Sequence, residues 1–347
     1  MRLCLQRWCG KAGRTHVLAC ALALAVALAV ALLATGLAGL PAAQAVEKET
    51  RNVRRPAVAG QFYPSSREEL KAEVADFLAK ADPQVPEKLK DLRPLALIVP
   101  HAGYPYSGST AAFSYRLLQK REKPSRIILL GVSHHFALHR VLAVPTYTHY
   151  STPLGEVPVD TAACQQLLRS KVCISADPPH RAEHGLEVQL PFLQVLWDEP
   201  PKIVPVLVGD FTAAGLADAV AALKPIIDEN TVIVASTDFT HYGDNYEFEP
   251  FKDLSGKELA ARIKALDMGA IKKIEALDAQ GFLDYCEQTG ATICGRMAVA
   301  LLLKTLSGME GVEGVSLRYA SSSDVMGDPS NSVGYHAHAF YVVKKTK

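Results

Sequence analysis

Four continuous apolar runs divide the chain, and segments of helical periodicity lie between them. The predicted strands cover residues 95–99, 126–131, 202–208 and 231–235, and each is continuously apolar apart from Arg126, Lys202 or Thr231 at its start. A strand with apolar side chains on both faces is covered by other elements on both sides, which is typical of a parallel sheet. Apolar residues spaced three and four apart, as in residues 65–82, predict helices. We therefore expect an α/β fold, and the length of 347 residues allows one large or two modest domains.

Histidines follow the first two predicted strands. The run 95–99 ends before His101, and the run 126–131 ends before His134. A predicted helix at residues 109–118 separates the two runs, so the three elements form a βαβ unit with parallel strands and a right-handed connection. Because the carboxyl ends of parallel strands meet at one edge of the sheet, we expect His101 and His134 to project from the same edge, where open α/β sheets bind their ligands.

More reactive side chains follow the other predicted elements. The further candidates at strand ends, and at the start of a helix predicted at residues 297–306, are His135, Asp210, Asp238, His241 and Cys294. The helix dipole favours the thiolate form of a cysteine at a helix N-terminus. Two imidazoles with one anionic ligand suit iron, copper or zinc and leave coordination positions open. On the pattern alone, a carboxylate or a thiolate can supply the anionic ligand.

Other interpretations stay open at this stage. Ser133, His101 and Asp238 could form a hydrolase triad, and the histidines could be purely structural, although so many polar groups are costly to bury without a purpose. The chain contains no Gly-rich phosphate loop after a strand, no HExxH, no CxxC pair and no G-x-S-x-G motif. These absences argue against several common catalytic mechanisms.

Acidic side chains are concentrated in two further stretches. Glu183 and Glu187 are four residues apart in a polar patch, so we expect both on one face of a helix, where they would compensate the helix dipole or act in catalysis. Residues 255–285 carry two helical patterns. We expect their acids Asp267, Glu275 and Asp284 to face solvent.

The first 45 residues are predicted to be a targeting segment. Basic residues precede an apolar run at 17–40, and Ala43-Gln44-Ala45 offers a cleavage site. At 1.5 Å per residue the apolar run reaches about 36 Å, long enough to span a bilayer. The segment is therefore either a cleaved signal peptide or an uncleaved anchor. In both cases we expect the body outside the cytoplasm, exported to the periplasm or held at the membrane through this segment alone.

Composition adds two constraints. The net charge of +1, with no basic run interleaved with aromatic residues, argues against a nucleic-acid partner. The body holds four cysteines, an even number that allows up to two disulfides in an oxidising compartment. They are Cys164, Cys173, Cys286 and Cys294.

An entry arm and five ordered motifs carry a family resemblance. In chain order they are PAVAGQFYP, VPHAGYPYSG, LLGVSHH, EHGLEVQLPFL, STDFTHYG and TICGR. Together they resemble the Memo family, whose bacterial members are named AmmeMemoRadiSam system protein B and whose fold is similar to the LigB-like class III extradiol dioxygenases. Val132 stands where the family pattern has a proline, a change that leaves the histidines in place. The resemblance implies a single α/β domain over residues 46–347, with a central, mostly parallel or mixed sheet flanked by helices.

The resemblance also implies a metal site formed by His101, His134 and Cys294. Iron or copper is the implied metal, with Fe²⁺ favoured and Zn²⁺ as a further option. Asp238 and His241 would lie in the same pocket as acid or base groups. The side chains that would line the pocket or support the ligands are His135, Glu183, His184 and Tyr104.

The implied function is that of a metal-dependent redox enzyme of oxygenase or oxidase type. The alternative is a pocket protein without turnover, which binds a peptide or a small molecule or assists AmmeMemoRadiSam system protein A and a radical SAM protein. The leader is a departure from the expected cytosolic location. In an oxidising compartment, a Cys286–Cys294 disulfide would remove the thiolate ligand.

Overall fold

Twelve strands and ten helices build the part of the chain that the computed structural model describes, residues 51–119 and 121–343. The strands are β1 (Val53–Arg54), β2 (Ala96–Val99), β3 (Arg126–Gly131), β4 (Leu142–Val144), β5 (His149–Thr152), β6 (Gly155–Pro158), β7 (Cys173–Ser175), β8 (Lys202–Val208), β9 (Thr231–Ser236), β10 (His241–Tyr242), β11 (Val312–Ser321) and β12 (Ser332–Val342). The predicted leader lies outside the described residues. Within them, no helix is both long enough and apolar enough to cross a membrane.

The helices alternate with these strands along most of the chain. They are α1 (Arg67–Lys80), α2 (Tyr104–Arg116), α3 (Thr161–Leu167), α4 (Asp177–Arg181), α5 (Leu190–Leu196), α6 (Ala213–Leu223), α7 (Gly256–Glu275), α8 (Ala279–Thr289), α9 (Arg296–Ser307) and α10 (Ser323–Met326). Short 3₁₀ turns cover Glu87–Leu89, Glu187–Gln189, Lys224–Ile226 and Asp244–Tyr246. The helix predicted at 109–118 begins earlier, at Tyr104, because Pro105 lies in its first turn, where the missing N–H costs no hydrogen bond.

The central sheet is mixed and has a parallel core. Its strand order is β10-β12-β2-β9-β3-β8-β4-β7, and β11 pairs with β12. Strands β2, β9, β3 and β8 run parallel, whereas β12 and β4 are antiparallel to their neighbours β2 and β8. A second, small sheet has the order β1-β5-β6. The predicted α/β fold with a central mixed sheet flanked by helices is confirmed.

The parallel strands bring distant parts of the chain to one edge. β2 and β3 are parallel, as the βαβ pattern predicts, but β9 lies between them. All four residues of β2 are fully buried, and so are Ile127 to Leu130 of β3, which explains their continuous apolar sequence. The segments that follow β2, β9 and β3 therefore leave the same edge side by side.

Helix α9 supplies much of the core and fixes where its preceding loop lies. Nine of its side chains are buried, and it packs against β9, β3 and β8. Gly295, just before the helix, approaches the end of β9 so closely that an added Cβ would lie 2.7 Å from the carbonyl oxygen of Ser236. Only glycine permits this approach, which places Cys294 against the carboxyl end of β9.

Asp267 is buried, whereas the sequence predicted that it faces solvent. It lies on α7 and accepts hydrogen bonds from the Thr240 N–H at 3.1 Å and from the Tyr319 hydroxyl at 2.8 Å. These polar partners lie beside the sheet, so the helix turns one acid inward. Burial raises the pKa of Asp267 from 3.8 to about 6. Glu275 and Asp284 are exposed, as predicted.

A buried ion pair fastens the entry arm to the body. The Arg54 guanidinium contacts the Glu187 carboxylate, and the exposed fractions of the two side chains are 1% and 0%. Arg54 also donates to the carbonyls of His180 at 3.1 Å and Glu183 at 2.6 Å. Glu187 in turn accepts from backbone N–H groups of the arm and from the Tyr63 hydroxyl. The arm thereby holds the segment that carries Glu183.

Removal of Arg54 is expected to destabilise the fold strongly. Arg54→Ala leaves the Glu187 carboxylate buried without its counter-ion, so the free energy of unfolding in urea should fall by about 3 to 5 kcal/mol. Arg51→Ala is the matched control, because the Arg51–Glu156 pair lies at the surface and should contribute less than about 1 kcal/mol. Equal losses for the two variants would contradict this assignment.

Asp267 should make stability depend on pH in a defined direction. Its stabilising contribution is complete below pH 4, and it is lost as the pH rises to about 6, because the unfolded chain ionises this group first. Asp267→Asn cannot ionise. Relative to wild type, the variant should gain about 3 kcal/mol of unfolding free energy between pH 4 and 6.5, with no further change above. A difference between the two proteins that does not vary with pH would contradict the assignment.

Candidate metal centre

Three imidazoles meet at the carboxyl edge of the parallel strands. His101 follows β2, His134 follows β3, and His184 lies in the loop between α4 and α5. The ring centroids of His101 and His134 are 5.1 Å apart, and His184 lies 5.4 Å and 4.3 Å from them. One nitrogen of each ring lies within 4.8 Å of the other two, close enough for a single metal ion. The structure thus brings the two strand-end histidines together and adds His184, which the family pattern placed in a supporting role.

The loop that carries His184 is not helical, contrary to the sequence prediction. Helix α4 ends at Arg181, and the next 3₁₀ turn begins at Glu187. The Glu183 carboxylate accepts the Gly185 N–H at 2.7 Å within this loop. Glu183 and Glu187 therefore bind different partners and do not share a helical face.

Glu183 is a buried carboxylate that holds His134. Its Oε2 accepts the His134 N–H at 2.8 Å, and its Oε1 lies 2.8 Å from His134 Nδ1. Burial opposes ionisation of Glu183, but the hydrogen bonds from His134 and Gly185 outweigh it and lower the pKa of Glu183 to about 2. The carboxylate is therefore ionised throughout the physiological range and binds His134 through one ring nitrogen, which leaves the other free.

The other two rings are held in their neutral form. Burial and the neighbouring His134 lower the pKa of His101 to about 3. Burial and the rings of His101 and His134 lower the pKa of His184 to about 3. Metal ions bind neutral imidazole, so this donor set fits a metal cation.

Cys294 lies just before α9 and next to His101, outside the three-histidine group. Its Sγ lies 3.1 Å from His101 Nε2 and accepts the Asp238 N–H at 3.3 Å. The sequence predicted a thiolate favoured by the helix dipole. Instead, burial and the adjacent Asp238 raise the pKa of Cys294 to about 12, so the sulfur keeps its proton at physiological pH. Cys164, Cys173 and Cys286 are free and buried, and Cys294 is also free.

Asp238 and His241 lie beside these donors. Asp238 Oδ1 accepts the His101 N–H at 2.7 Å, and burial raises the pKa of this carboxyl. His241 Nδ1 lies 2.9 Å from the Phe239 carbonyl and 3.1 Å from the Thr292 carbonyl. Because carbonyl oxygens only accept, Nδ1 carries the proton and Nε2 is free to accept another.

The remaining candidates have other surroundings. His135 is exposed and lies outside the three-histidine group. Tyr104 is buried and donates its hydroxyl to the Val188 carbonyl at 2.7 Å, so it supports the loop after Glu187. Ser133 Oγ accepts the Phe136 N–H at 3.2 Å, whereas the hydroxyl beside His101 Nδ1 belongs to Ser236. Asp210 is exposed at the end of β8.

Sequence reasoning missed Ser236 and Gln189. Gln189 Nε2 donates to Ser236 Oγ at 3.0 Å, and Ser236 Oγ lies 2.9 Å from His101 Nδ1. Both side chains are fully or almost fully buried. Ser236 ends a continuous apolar strand, and this unusual polar ending was the one available signal. Gln189 lies within an apolar stretch, and its partner Ser236 is 47 residues away in the chain.

Comparisons with known proteins identify the family of this chain. A family model described as Memo-like protein matches residues 54–339. A MEMO1 family protein of Methanopyrus kandleri is 36% identical over 294 residues, covering 83% of this chain and 98% of the relative. A MEMO1 family protein of Nitrosopumilus maritimus is 35% identical over 292 residues, covering 83% and 99%.

A solved structure of an uncharacterized protein from Escherichia coli K12 has a TM-score of 0.46 at 16% identity, covering 71% of this chain and 99% of that one. The family model matches most of the chain, and the two relatives are 36% and 35% identical to it. The chain belongs to the Memo-like protein family.

Proposed function

We propose that this protein binds one iron or copper ion through His101, His134 and Cys294 and acts as a redox enzyme of oxygenase or oxidase type. The observation that carries the proposal is the convergence of the two strand-end imidazoles at one edge, with the Cys294 sulfur 3.1 Å from His101 Nε2. Imidazole and thiolate together favour iron or copper over magnesium or calcium. When bound, such an ion supplies redox chemistry and open coordination positions.

The surrounding residues provide proton transfer and orientation. Asp238 holds the backbone of His101 at 2.7 Å, and its buried carboxyl takes up a proton more readily than an exposed aspartate. His241 is held through Nδ1 and offers Nε2 as a proton acceptor. The two groups support an acid and base assignment next to the metal ligands.

A second candidate function is binding without turnover. Three large aromatic side chains are exposed next to site residues in the sequence or in space: Tyr106 at 39%, Phe136 at 44% and Tyr246 at 40%, whose ring lies 5.1 Å from His241. Exposed aromatic rings favour contact with a peptide or a small apolar molecule. Oxygen consumption by the metal-loaded protein with catechol-like and amine substrates would favour the enzyme, and binding of such compounds without consumption would favour the pocket protein.

The metal ligands can be tested directly. The full chain, purified under reducing conditions and reconstituted without oxygen, should bind one Fe²⁺ or Cu⁺ per chain by mass spectrometric metal analysis. His101→Ala and His134→Ala should each lose the bound ion, because each removes an imidazole of the three-histidine group.

His135→Ala is the matched control, since it removes the neighbouring exposed histidine and should keep wild-type metal content. Wild-type metal content in His101→Ala and His134→Ala would disprove the ligand assignment. Absence of metal from the wild-type chain would favour the non-catalytic alternative.

The third ligand can be identified with Co²⁺ as a spectroscopic probe. A cobalt-bound thiolate gives an intense sulfur-to-metal charge-transfer absorption, which nitrogen ligands alone do not. Wild type and His184→Ala should show this absorption, and Cys294→Ser should lose it. Its absence from wild type, together with loss of cobalt in His184→Ala, would instead assign the third position to His184 in the three-histidine group.

A further inference from the structure

The protonated ring nitrogen of His134 is determined by its partner. His134 Nδ1 lies 2.8 Å from Glu183 Oε1. The same carboxylate accepts two backbone N–H groups, from His134 at 2.8 Å and from Gly185 at 2.7 Å. A carboxylate that already receives these donors is an acceptor for the ring as well, so the proton of His134 lies on Nδ1. The lone pair is therefore on Nε2.

The tautomer of His101 is determined by a different acceptor, the Ser236 hydroxyl oxygen. A serine hydroxyl has one donor hydrogen and two acceptor lone pairs. Ser236 Oγ lies 2.6 Å from the Gly185 carbonyl, which only accepts, so the hydroxyl hydrogen is used there. Gln189 Nε2 donates to one lone pair at 3.0 Å, and His101 Nδ1 lies at 2.9 Å from the same oxygen. His101 must therefore donate through Nδ1, and its lone pair is on Nε2, the atom beside Cys294.

Gly185 joins the two acceptors. Its N–H donates to Glu183 Oε1, and its C=O accepts the Ser236 hydroxyl. An added Cβ at this position would lie 3.2 Å from both Glu183 Oε1 and His101 Nδ1. These contacts are tighter than ordinary packing, so a side chain here would push the carboxylate and the imidazole apart. Glycine at position 185 therefore lets the Glu183 carboxylate and the His101 imidazole pack closely on either side of this loop.

We propose that Glu183, Gly185 and Ser236 form one hydrogen-bonded chain that sets the tautomers of His134 and His101, with both Nε2 lone pairs available for a metal. Glu183 and Ser236 are positioning residues, because they act through the two imidazoles. The inference rests on the proposed metal site and adds Gly185 and Ser236, to which the family pattern assigned no role. Without the Ser236 oxygen, the proton of His101 is free to move to Nε2, where it blocks the metal-binding atom.

The tautomers can be measured in the metal-free protein. Long-range ¹H–¹⁵N spectra of the full chain, labelled at histidine and assigned by single substitutions, should show Nδ1–H for both His101 and His134. Ser236→Ala should shift His101 toward Nε2–H and leave His134 unchanged. Glu183→Gln should change the tautomer of His134, because one amide oxygen cannot replace two carboxylate acceptors. Each substitution should also lower Fe²⁺ affinity by about 10- to 100-fold.

Two controls separate positioning from stability. Ser114→Ala removes another buried serine hydroxyl, which donates to the Ile98 carbonyl at 3.0 Å, and should lower stability without changing either tautomer or metal affinity. Ser236→Thr keeps a hydroxyl and should restore Nδ1–H in His101. An Nε2–H pattern in wild-type His101, or a wild-type pattern and affinity in Ser236→Ala, would overturn the inference. Failure of wild type to bind metal, with both tautomers as stated, would count against the proposed function alone.

Discussion

The three-histidine group depends on one constraint, the requirement that the buried Glu183 carboxylate be fully hydrogen-bonded. Its side chain is 1% exposed, so each missing donor would carry a large desolvation penalty. The donors come from His134 and Gly185, which draws β3 and the loop after α4 together. The Arg54 guanidinium binds the carbonyl of Glu183 itself, and its own charge is balanced by Glu187. The entry arm, the loop and the sheet edge are thus parts of one polar network.

The fold and the placement of two histidines could be predicted because they follow from patterns that are local in sequence. Continuous apolar runs predict buried parallel strands, and parallel strands align their carboxyl ends. His101 and His134 lie close together because of that topology, even though β9 separates β2 and β3. The insertion of β9 was not predictable, because every run in the sheet is equally apolar. It adds Asp238 to the same edge without disturbing the two histidines.

The polar contacts could not be predicted, because their partners are far apart in the chain. Asp267 lies in the same amphipathic helix as the exposed Glu275, and the Tyr319 hydroxyl and the Thr240 N–H explain its burial. The 183–187 spacing suits a helix, but Glu183 binds His134, 49 residues away, and residues 182–186 form a loop. Cys294 lies at a helix start, yet burial and Asp238 outweigh the helix dipole. In each case a tertiary contact overrides a local preference.

We propose that a metal ion binds Nε2 of His101 and Nε2 of His134. The most direct measurement is anomalous diffraction at the iron or copper edge from crystals of the loaded full chain. We expect one peak about 2.0 to 2.3 Å from both Nε2 atoms, with the Cys294 sulfur about 2.3 Å away. A peak on Nδ1 of either ring, or no peak at this edge of the sheet, would contradict it.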